Sequence, residues 1–533
     1  MKAFMNLVLN EIIKVWKQTG YRVVIFIMLG LTLLSPILNL VFSAGFLSFN
    51  AEDEYETYRE WADDADGVEY EYFNAYAEAY KFFIDNDIEK GWQYENFSYQ
   101  YSELYVAESG YKLIVDGRYD ADEVVNWFGI SLNDKSEAEA RYIEAKNNRR
   151  DLEKQILMSE SQFIPAVIDS KNEEISMLRD AVETAERDYK SHSTDENERA
   201  VVLARLNLDI AKAELECLET IDERESGPDS WEYKLMKENM SQHAYNMLSN
   251  FPLSENEYDE MYAWTVALPY EDYVNNCEGN VEFFRKEFNK CVYAIENDID
   301  IYSANVNSET AVAMESAVSN FGIIMMVIVA SMIAGEYTKG TIRLLLIRPR
   351  SRTQIIMSKL VAAAVILTAL TVASLFLVSI ENLLIYGAGS FFDVINIGDA
   401  PVKIPALLIT LGVVAVAMLT GLADMALTAI IASLTKKTGT AITLPIVIKF
   451  AISSVILAIG ITLMQMLPGI FSWLIYSPIP YISMASSTLY NGFFGLPGFW
   501  RINIWLGILY HAVFIALLVW LTVIRFKKTQ IKG

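Results

Sequence analysis

Few residues in this chain have the types and spacing that catalysis or metal binding requires. The three histidines, His192, His243 and His511, are far apart in sequence, and none has a second ligand at the spacing of a metal site. The chain also lacks the Gly-x4-Gly-Lys-Ser/Thr loop that binds nucleotide phosphates. We therefore expect no catalytic residues and no metal, and a membrane-embedded enzyme is the least favoured class of function.

Two ionisable residues stand out because long apolar stretches surround them. Asp424 and Lys449 lie at similar distances on either side of the short loop 435–439. At a rise of about 1.5 Å per helical residue, both reach a depth of roughly 15 Å. A lone charge at this depth costs about 3 kcal/mol, so we expect the two side chains to pair. Two roles are open for this pair. It is either part of a polar path or proton relay, or a clamp between helices, and the clamp is favoured.

The elements that position this pair are apolar segments long enough to cross a membrane. Six segments approach the roughly 20 apolar residues that a hydrocarbon core demands. The first is too long for the apolar part of a secretory signal, so we expect it to be retained. The predicted spans are residues 21–43, 318–335, 360–385, 405–434, 440–467 and 503–525.

The charge of the chain is divided unequally between these spans and a large insertion. The whole chain has a net charge of −25, but residues 51–310 alone contain 61 acidic and 24 basic side chains. Bases in short loops prefer the cytoplasm. Both termini are therefore expected in the cytoplasm and the acidic insertion outside. The bases on the predicted inner side are Lys2, Lys14, Lys17, Arg22, Lys339, Arg343, Arg348, Arg350, Arg352, Lys359, Lys436, Lys437, Arg525, Lys527, Lys528 and Lys532.

The insertion, residues 46–315, is predicted to be mainly helical. Apolar residues recur in steps of three and four on both sides of a polar turn at 190–198, which predicts a coiled-coil-like helical hairpin at about 171–222. The seam residues are Ile175, Leu178, Val182, Ala185 and Tyr189 in the first arm and Leu203, Leu206, Ile210, Ala213 and Cys217 in the second. Cys277 and Cys291 are separated by a predicted helix, so free thiols are expected.

Aromatic residues are concentrated near the start of the insertion. Aromatic rings among acidic side chains suit a cationic, amphipathic ligand. Some of these rings also recur at helical spacing, which is typical of a small buried core, and the core is the favoured interpretation. The candidate ligand residues are Tyr72, Tyr76, Tyr80, Trp92 and Tyr94.

Two cytoplasmic elements flank the insertion in sequence. Residues 1–20 form an amphipathic pattern that predicts a helix lying along the inner membrane surface before the first transmembrane helix, 21–45. After the second span, residues 336–359 combine bases with glycine, leucines and proline, which predicts a short helix that docks a partner. The candidate residues are Glu336, Lys339, Gly340, Thr341, Arg343, Arg348, Pro349, Arg350, Ser351, Arg352 and Lys359.

With six spans, this loop pattern resembles the permease subunits of type-2 ATP-binding-cassette (ABC-2) exporters. The resemblance covers the membrane part, 316–533, and implies an all-α polytopic fold in a bacterial cell membrane. It assigns the loop 336–359 to coupling with a cytoplasmic ATPase dimer, which would bind ATP and Mg²⁺. It also implies a second permease chain, with a homodimer expected, and a re-entrant outer segment at 468–500. No nucleic-acid partner is expected.

The resemblance implies export of an amphipathic substrate, either a peptide, a peptide antibiotic or a lipid-like molecule. A second class of function stays open. The order of one span, a helical insertion and five further spans is also similar to the phage-infection-protein family. A chain of that kind would be a surface or secretion-accessory protein that binds a partner through its helical outer domain and needs no ATPase.

Overall fold

The computed structural model describes residues 2–45, 50–88, 90–132, 135–262, 269–341, 351–466, 470 and 504–528. Within these ranges the chain is almost entirely helical, with one two-stranded sheet, so the all-α fold class is confirmed. It divides into two compact units. Unit 1 comprises residues 1–40, 194–199 and 240–533, and unit 2 comprises 41–193 and 200–239. The division falls within the predicted outer domain, 46–315.

Unit 2 is a bundle of helices with short connections. Its helices are α3 (Ala51–Asp63), α4 (Gly67–Asp85), α5 (Trp92–Asp116), α6 (Ala121–Phe128), α7 (Ala138–Ile156), α8 (Glu160–Ser191), α9 (Asp195–Glu223) and α10 (Trp231–Lys234). An Asn50 capping box starts α3, and left-handed glycines Gly117 and Gly129 end α5 and α6. One core cluster joins α4, α5 and α6 through Val68, Val106 and other buried residues.

A cluster of charged side chains lies where α5 and α7 pack against each other. The Arg149 guanidinium of α7 donates a 2.5 Å hydrogen bond to Glu108 on α5 and also binds Glu153. Tyr101 on α5 donates to the same Glu153 carboxylate at 3.0 Å, and its ring is buried. These bonds raise the pKa of Arg149 against the opposing effect of burial, so the guanidinium stays charged.

Helices α8 and α9 form the two arms of the predicted hairpin. Ion pairs Lys171–Glu214 (2.9 Å) and Arg205–Glu186 (2.7 Å) join the arms in antiparallel order. The first arm begins at Glu160, earlier than the predicted 171, and the second ends at Glu223. The seam of the first arm contains Ile175, Leu178 and Val182 as predicted. The cluster residues of the second arm are Leu208, Ala211 and Leu215. Of the residues predicted there, Ile210 and Cys217 are buried, whereas Leu203, Leu206 and Ala213 are half-buried. Two overlapping apolar stripes run along this arm, and spacing alone does not distinguish them.

Unit 1 begins with two helices joined by a sharp bend. Helix α1 (Lys2–Lys17) is followed by α2 (Thr19–Gly45), and the segments Phe4–Lys17 and Thr19–Leu34 meet at 81°. Val8 and Val15 on α1 and Ile25 on α2 are buried in the largest apolar cluster of the unit. The remaining helices of this unit are α11 (Ser241–Ser249), α12 (Glu255–Tyr262), α13 (Tyr270–Glu296), α14 (Val306–Thr338), α15 (Arg352–Tyr386), α16 (Ala406–Thr435), α17 (Thr438–Val447), α18 (Ser453–Met466) and α19 (Ile504–Lys527).

Four described helices are long and apolar enough to cross a membrane. They are α14, α15, α16 and the Trp505–Lys527 part of α19, and the bent α1–α2 pair makes a fifth if it counts as one span. The predicted span 440–467 corresponds to α17 and α18, which are joined by a π-helical turn at Ile448–Ile452. Helix α14 packs against α15, α16 and α17, which places it at the centre of the unit.

A β-hairpin between α15 and α16 was not predicted. Strands β1 (Phe392–Ile397) and β2 (Ala400–Pro405) pair antiparallel, with Ile397 opposite Ala400. The two-residue turn places Gly398 at φ +66°, as a hairpin turn that begins with glycine requires. Helix α13 packs on this hairpin, where Lys286 binds Asp399 at 2.7 Å and Asn396 donates to Glu287 at 2.9 Å.

All three cysteines are free and buried. Cys277 and Cys291 both lie on α13, a continuous helix that keeps them apart. Burial raises the pKa of the Cys291 thiol to about 12 and also raises that of Cys277. Neither thiol therefore has the thiolate character that reactive cysteines need.

Candidate functional site

The candidate coupling segment begins at the end of α14 and continues to the first turns of α15. Lys339 caps α14, and Gly340 adopts φ +71°, a left-handed conformation that suits glycine. The Thr341 hydroxyl donates to the Glu336 carbonyl at 3.4 Å. Ser351 caps α15 by accepting a hydrogen bond from the Gln354 amide at 3.2 Å. Arg343, Arg348, Pro349 and Arg350 lie outside the described residues.

Four charged side chains meet where α1, α14 and α15 come together. The Lys359 ammonium, whose residue is 2% exposed, donates to Glu336 at 2.7 Å and to Glu11 at 2.9 Å. Lys14 binds the other Glu11 oxygen at 2.6 Å and lies 3.6 Å from Glu336. Burial raises the pKa of the Glu11 carboxyl, but the two lysines outweigh this effect and lower the pKa overall. We call Glu11, Lys14, Glu336 and Lys359 the inner charge cluster.

The sequence predicted two members of this cluster, Glu336 and Lys359, and missed that Glu11 joins them. A signal was present. Glu11 follows Val8 by three positions and precedes Val15 by four, so it lies on the buried apolar face of α1. An acid on the apolar face of an otherwise amphipathic helix indicates a buried partner of opposite charge.

Further contacts connect the same ends of the remaining helices. The Arg352 guanidinium donates to the Lys527 carbonyl at 3.0 Å, which joins α15 to α19. The hydroxyls of Thr338 and Thr438 are 3.1 Å apart, which joins α14 to α17. The Lys436 ammonium lies 5.5 Å from the centre of the Tyr337 ring. Residues at both ends of the candidate coupling segment therefore contact helices on several sides.

The second candidate feature is the ion pair between α16 and the π-helical turn. Lys449 Nζ donates to Asp424 Oδ2 at 2.5 Å, and Asp424 is 8% exposed. Gly322 on α14 faces the pair, since a Cβ at this position would lie 2.6 Å from Asp424 Oδ2. His511 on α19 is also buried, and its Nδ1 lies 2.9 Å from the Gly507 carbonyl. The pair thus joins α16 to the π-helical turn and lies against α14, and its role as a clamp stays a prediction.

The predicted aromatic ligand residues lie mainly in the interior of unit 2. Tyr80, Trp92 and Tyr94 are buried, and Tyr72 and Tyr76 pack against the core cluster of α4 to α6. This arrangement corresponds to the core interpretation, because buried rings offer no face to a ligand. The spacing of four residues along α4 indicated a buried stripe correctly, but it could not show which rings remain at the surface.

The remaining predictions concern the re-entrant segment and metal binding. Residues 468–500, the predicted re-entrant segment, lie outside the described residues except for Ile470. Among the described residues, no group of three or more His, Cys, Asp or Glu side chains is arranged to hold a metal ion. His243 is half-buried on α11 and stacks against Phe284, and desolvation lowers its pKa.

Long apolar helices, tied together by buried ion pairs, define a multi-pass α-helical membrane protein. The family model for the ABC-2 family transporter protein matches residues 137–531, which is most of the chain. The chain therefore belongs to the ABC-2 transporter family, as its coupling-loop pattern indicated. Permeases of this family generally pair with an ABC ATPase. No curated protein matches the chain.

Proposed function

We propose that this chain is the membrane-spanning subunit of an ATP-driven exporter. Six spans would be formed by α2, α14, α15, α16, the α17–α18 segment with its π-helical turn, and α19. The length of the α17–α18 segment supports this count, since residues 438–466 are helical throughout and would extend roughly 43 Å at 1.5 Å per residue.

The distribution of charge supports an orientation with both termini in the cytoplasm and residues 46–315 outside. The bases of the short loops occur at alternate ends of the proposed spans. Helix α1, with lysines on its polar face and a sharp bend before α2, would lie along the inner membrane surface. The coupling segment would then face the cytoplasm.

The observation that carries this proposal is the inner charge cluster. Lys359 at the base of α15 is bound at once to α14 through Glu336 and to α1 through Glu11. A partner that moves residues 336–359 would therefore move three helices, because breaking a buried ion pair costs about 3–5 kcal/mol. Such a rigid connection suits the transfer of work from an ATPase to the membrane helices.

ATP and Mg²⁺ would be bound by a separate cytoplasmic ATPase dimer, since the chain lacks a phosphate-binding loop. Two copies of the permease would enclose the transport path. An amphipathic substrate, such as a peptide, a peptide antibiotic or a lipid-like molecule, fits the strongly acidic insertion, which has a net charge of −37 over residues 51–310.

Copurification of the native complex in mild detergent tests this proposal. Wild type is compared with Arg343→Glu plus Arg348→Glu, which reverses charge within the coupling segment. Lys527→Glu plus Lys528→Glu is the matched control, because it makes the same change in net charge at the end of α19. We expect an ATPase subunit to copurify with wild type and with the control, and to be lost from the first variant.

Two results would contradict the proposal. The absence of any ATPase from wild-type complexes would refute a powered transporter and favour the surface-accessory function. Retention of the ATPase by both variants would show that it docks elsewhere, and the coupling role of residues 336–359 would be abandoned.

A further inference from the structure

Three aromatic rings form a continuous surface on one side of unit 2. Trp61 on α3 is 49% exposed and Trp127 on α6 is 39% exposed. Phe73 on α4 lies between them, with its ring centre 5.6 Å from that of Trp61 and 6.4 Å from that of Trp127. We call these three residues the aromatic patch. None of them was among the candidate ligand residues chosen from the sequence.

The rings of the aromatic patch rest on a rigid layer of other rings. The Tyr58 ring centre lies 5.3 Å from that of Trp61, and Tyr58 stacks on Tyr76 at 4.7 Å. On the other side, the Tyr72 ring centre is 6.0 Å from that of Trp127. Exposed tryptophans held in place by neighbours lose little conformational entropy on binding, which is why such residues dominate binding interfaces.

Acidic side chains surround the aromatic patch. Asp64 follows Trp61 by three positions, Glu69 precedes Phe73 by four, and Glu123 precedes Trp127 by four. Each ring therefore has a carboxylate about one helical turn away. Over residues 51–130 the chain contains 21 acidic and 5 basic side chains, a net charge of −16.

The five basic side chains are too few to cancel this charge, although Arg59 keeps its positive charge because its partner is a neutral amide. The Arg59 guanidinium on α3 donates to the Asn74 side chain at 2.6 Å. Arg118, just after α5, lies 3.9 Å from Glu71. A ligand at the aromatic patch would thus encounter aromatic faces and a negative potential together, and both attract cations.

From this combination we infer that the aromatic patch is a docking site for a cationic amphipathic peptide. Apolar side chains of the peptide would cover the indole and phenyl rings, and its Lys or Arg side chains would face the carboxylates. A membrane surface is disfavoured as the occupant, because anionic headgroups would be repelled by the surrounding acids. The inference rests on the proposed function in one respect, namely that residues 46–315 face the outside, where such peptides arrive or leave.

Binding of a labelled model peptide to the purified full-length chain tests this inference. The probe is a fluorescein-labelled amphipathic peptide of about 18 residues, built from Leu and Lys so that one helical face is apolar. A Leu and Glu peptide of the same pattern is the charge control. Fluorescence anisotropy is measured with the chain in nanodiscs of phosphatidylcholine, at about 50 mM and about 500 mM salt.

Trp61→Ala plus Trp127→Ala is the principal variant. We expect it to raise the Kd of the Leu and Lys peptide roughly tenfold or more, as loss of two anchor residues does at other interfaces. Tyr99→Ala is the matched control, since Tyr99 is 76% exposed on α5 of the same unit, and its Kd should equal that of wild type. High salt should weaken binding to wild type, and the Leu and Glu peptide should not bind.

A second variant keeps the test valid if loss of both tryptophans impairs folding. Asp64→Asn plus Glu123→Gln changes only exposed carboxylates, and it should weaken peptide binding and reduce the effect of salt. Equal binding by wild type and both variants would refute the inference. Binding of wild type to peptide-free phosphatidylcholine vesicles that is lost with the tryptophans would instead assign the patch to a membrane surface. Because no ATPase takes part, failure here leaves the copurification test of the exporter unaffected.

Discussion

The buried Asp424–Lys449 pair allows a quantitative test of the membrane core. Lys449→Met removes the ammonium that lies 2.5 Å from Asp424 Oδ2 and leaves the carboxylate of the buried Asp424 without its partner. Breaking a buried pair from one side costs about 3–5 kcal/mol. Removing both charges, with Asp424→Asn added, avoids this cost, because no uncompensated charge remains. We expect the double variant to be close to wild type in stability.

The predicted differences are large enough to measure by heating. At about 2 °C per kcal/mol for a large chain, Lys449→Met should lower the apparent melting temperature by about 6–10 °C, and the double variant by far less. Purified proteins in nanodiscs are heated, and the monodisperse fraction is followed by size-exclusion chromatography. Lys437→Met, which removes a lysine from the loop before α17, is the control for loss of charge alone and should melt like wild type.

The double-mutant cycle gives the coupling energy between the two side chains. If the double variant is destabilised by the sum of the two single variants, the side chains do not interact, and the clamp interpretation is wrong. A double variant that is stable yet unable to support substrate-stimulated ATPase activity would instead favour a role in the transport path.

Three further predictions concern other residues of unit 1. Gly322→Ala should destabilise the protein by about 1–3 kcal/mol, because its methyl group would overlap the Asp424 carboxylate. Gly335→Ala on the same helix would place its methyl group in ordinary contact with the Thr438 hydroxyl, at 4.0 Å, and should be neutral or stabilising in the same melting assay. Glu11→Gln should lower stability at pH 7, because the ionised Glu11 carboxylate, whose pKa is lowered in the folded protein, stabilises the folded state. As the pH falls below 4.5 the carboxylate becomes protonated, so the difference between the variant and wild type should shrink. Melting curves from pH 7 to pH 3 check this. Cys291 should resist maleimide in the native protein at neutral pH, because burial raises the pKa of its thiol to about 12, and it should react after denaturation. Mass spectrometry detects the label. Rapid labelling of the native protein would contradict the burial of this thiol.

Much of the membrane part follows from periodicity and depth counting. Asp424 and Lys449 were expected at equal depth because both are counted from one short loop, and helix geometry is regular enough for that count to hold. The π-helical turn at Ile448–Ile452 was not foreseen, because this segment is apolar on nearly every face and has no periodic pattern that an extra residue could shift. The short strands were also missed, although the Gly398-Asp399 pair between apolar residues is a hairpin signal.

The contacts that depend on how distant helices pack could not be derived from one sequence. Glu11 and Lys359 are 348 positions apart, and nothing local indicates that α1 lies against α15. The exposed aromatic patch was missed for the opposite reason. Trp61 and Trp127 carry the same apolar signal as the buried rings, and only the packing of α3, α4 and α6 decides which rings face solvent.

The hairpin contact of α13 affects how the chain can be shortened. Residues 240–296 cluster with unit 1, and Lys286 and Glu287 bind the turn and first strand of the β-hairpin. Deleting the whole insertion, 46–315, would leave Asp399 and Asn396 without these partners and expose the hairpin face that α13 covers. A minimal permease should therefore retain residues 1–40 together with the chain from residue 240 onward.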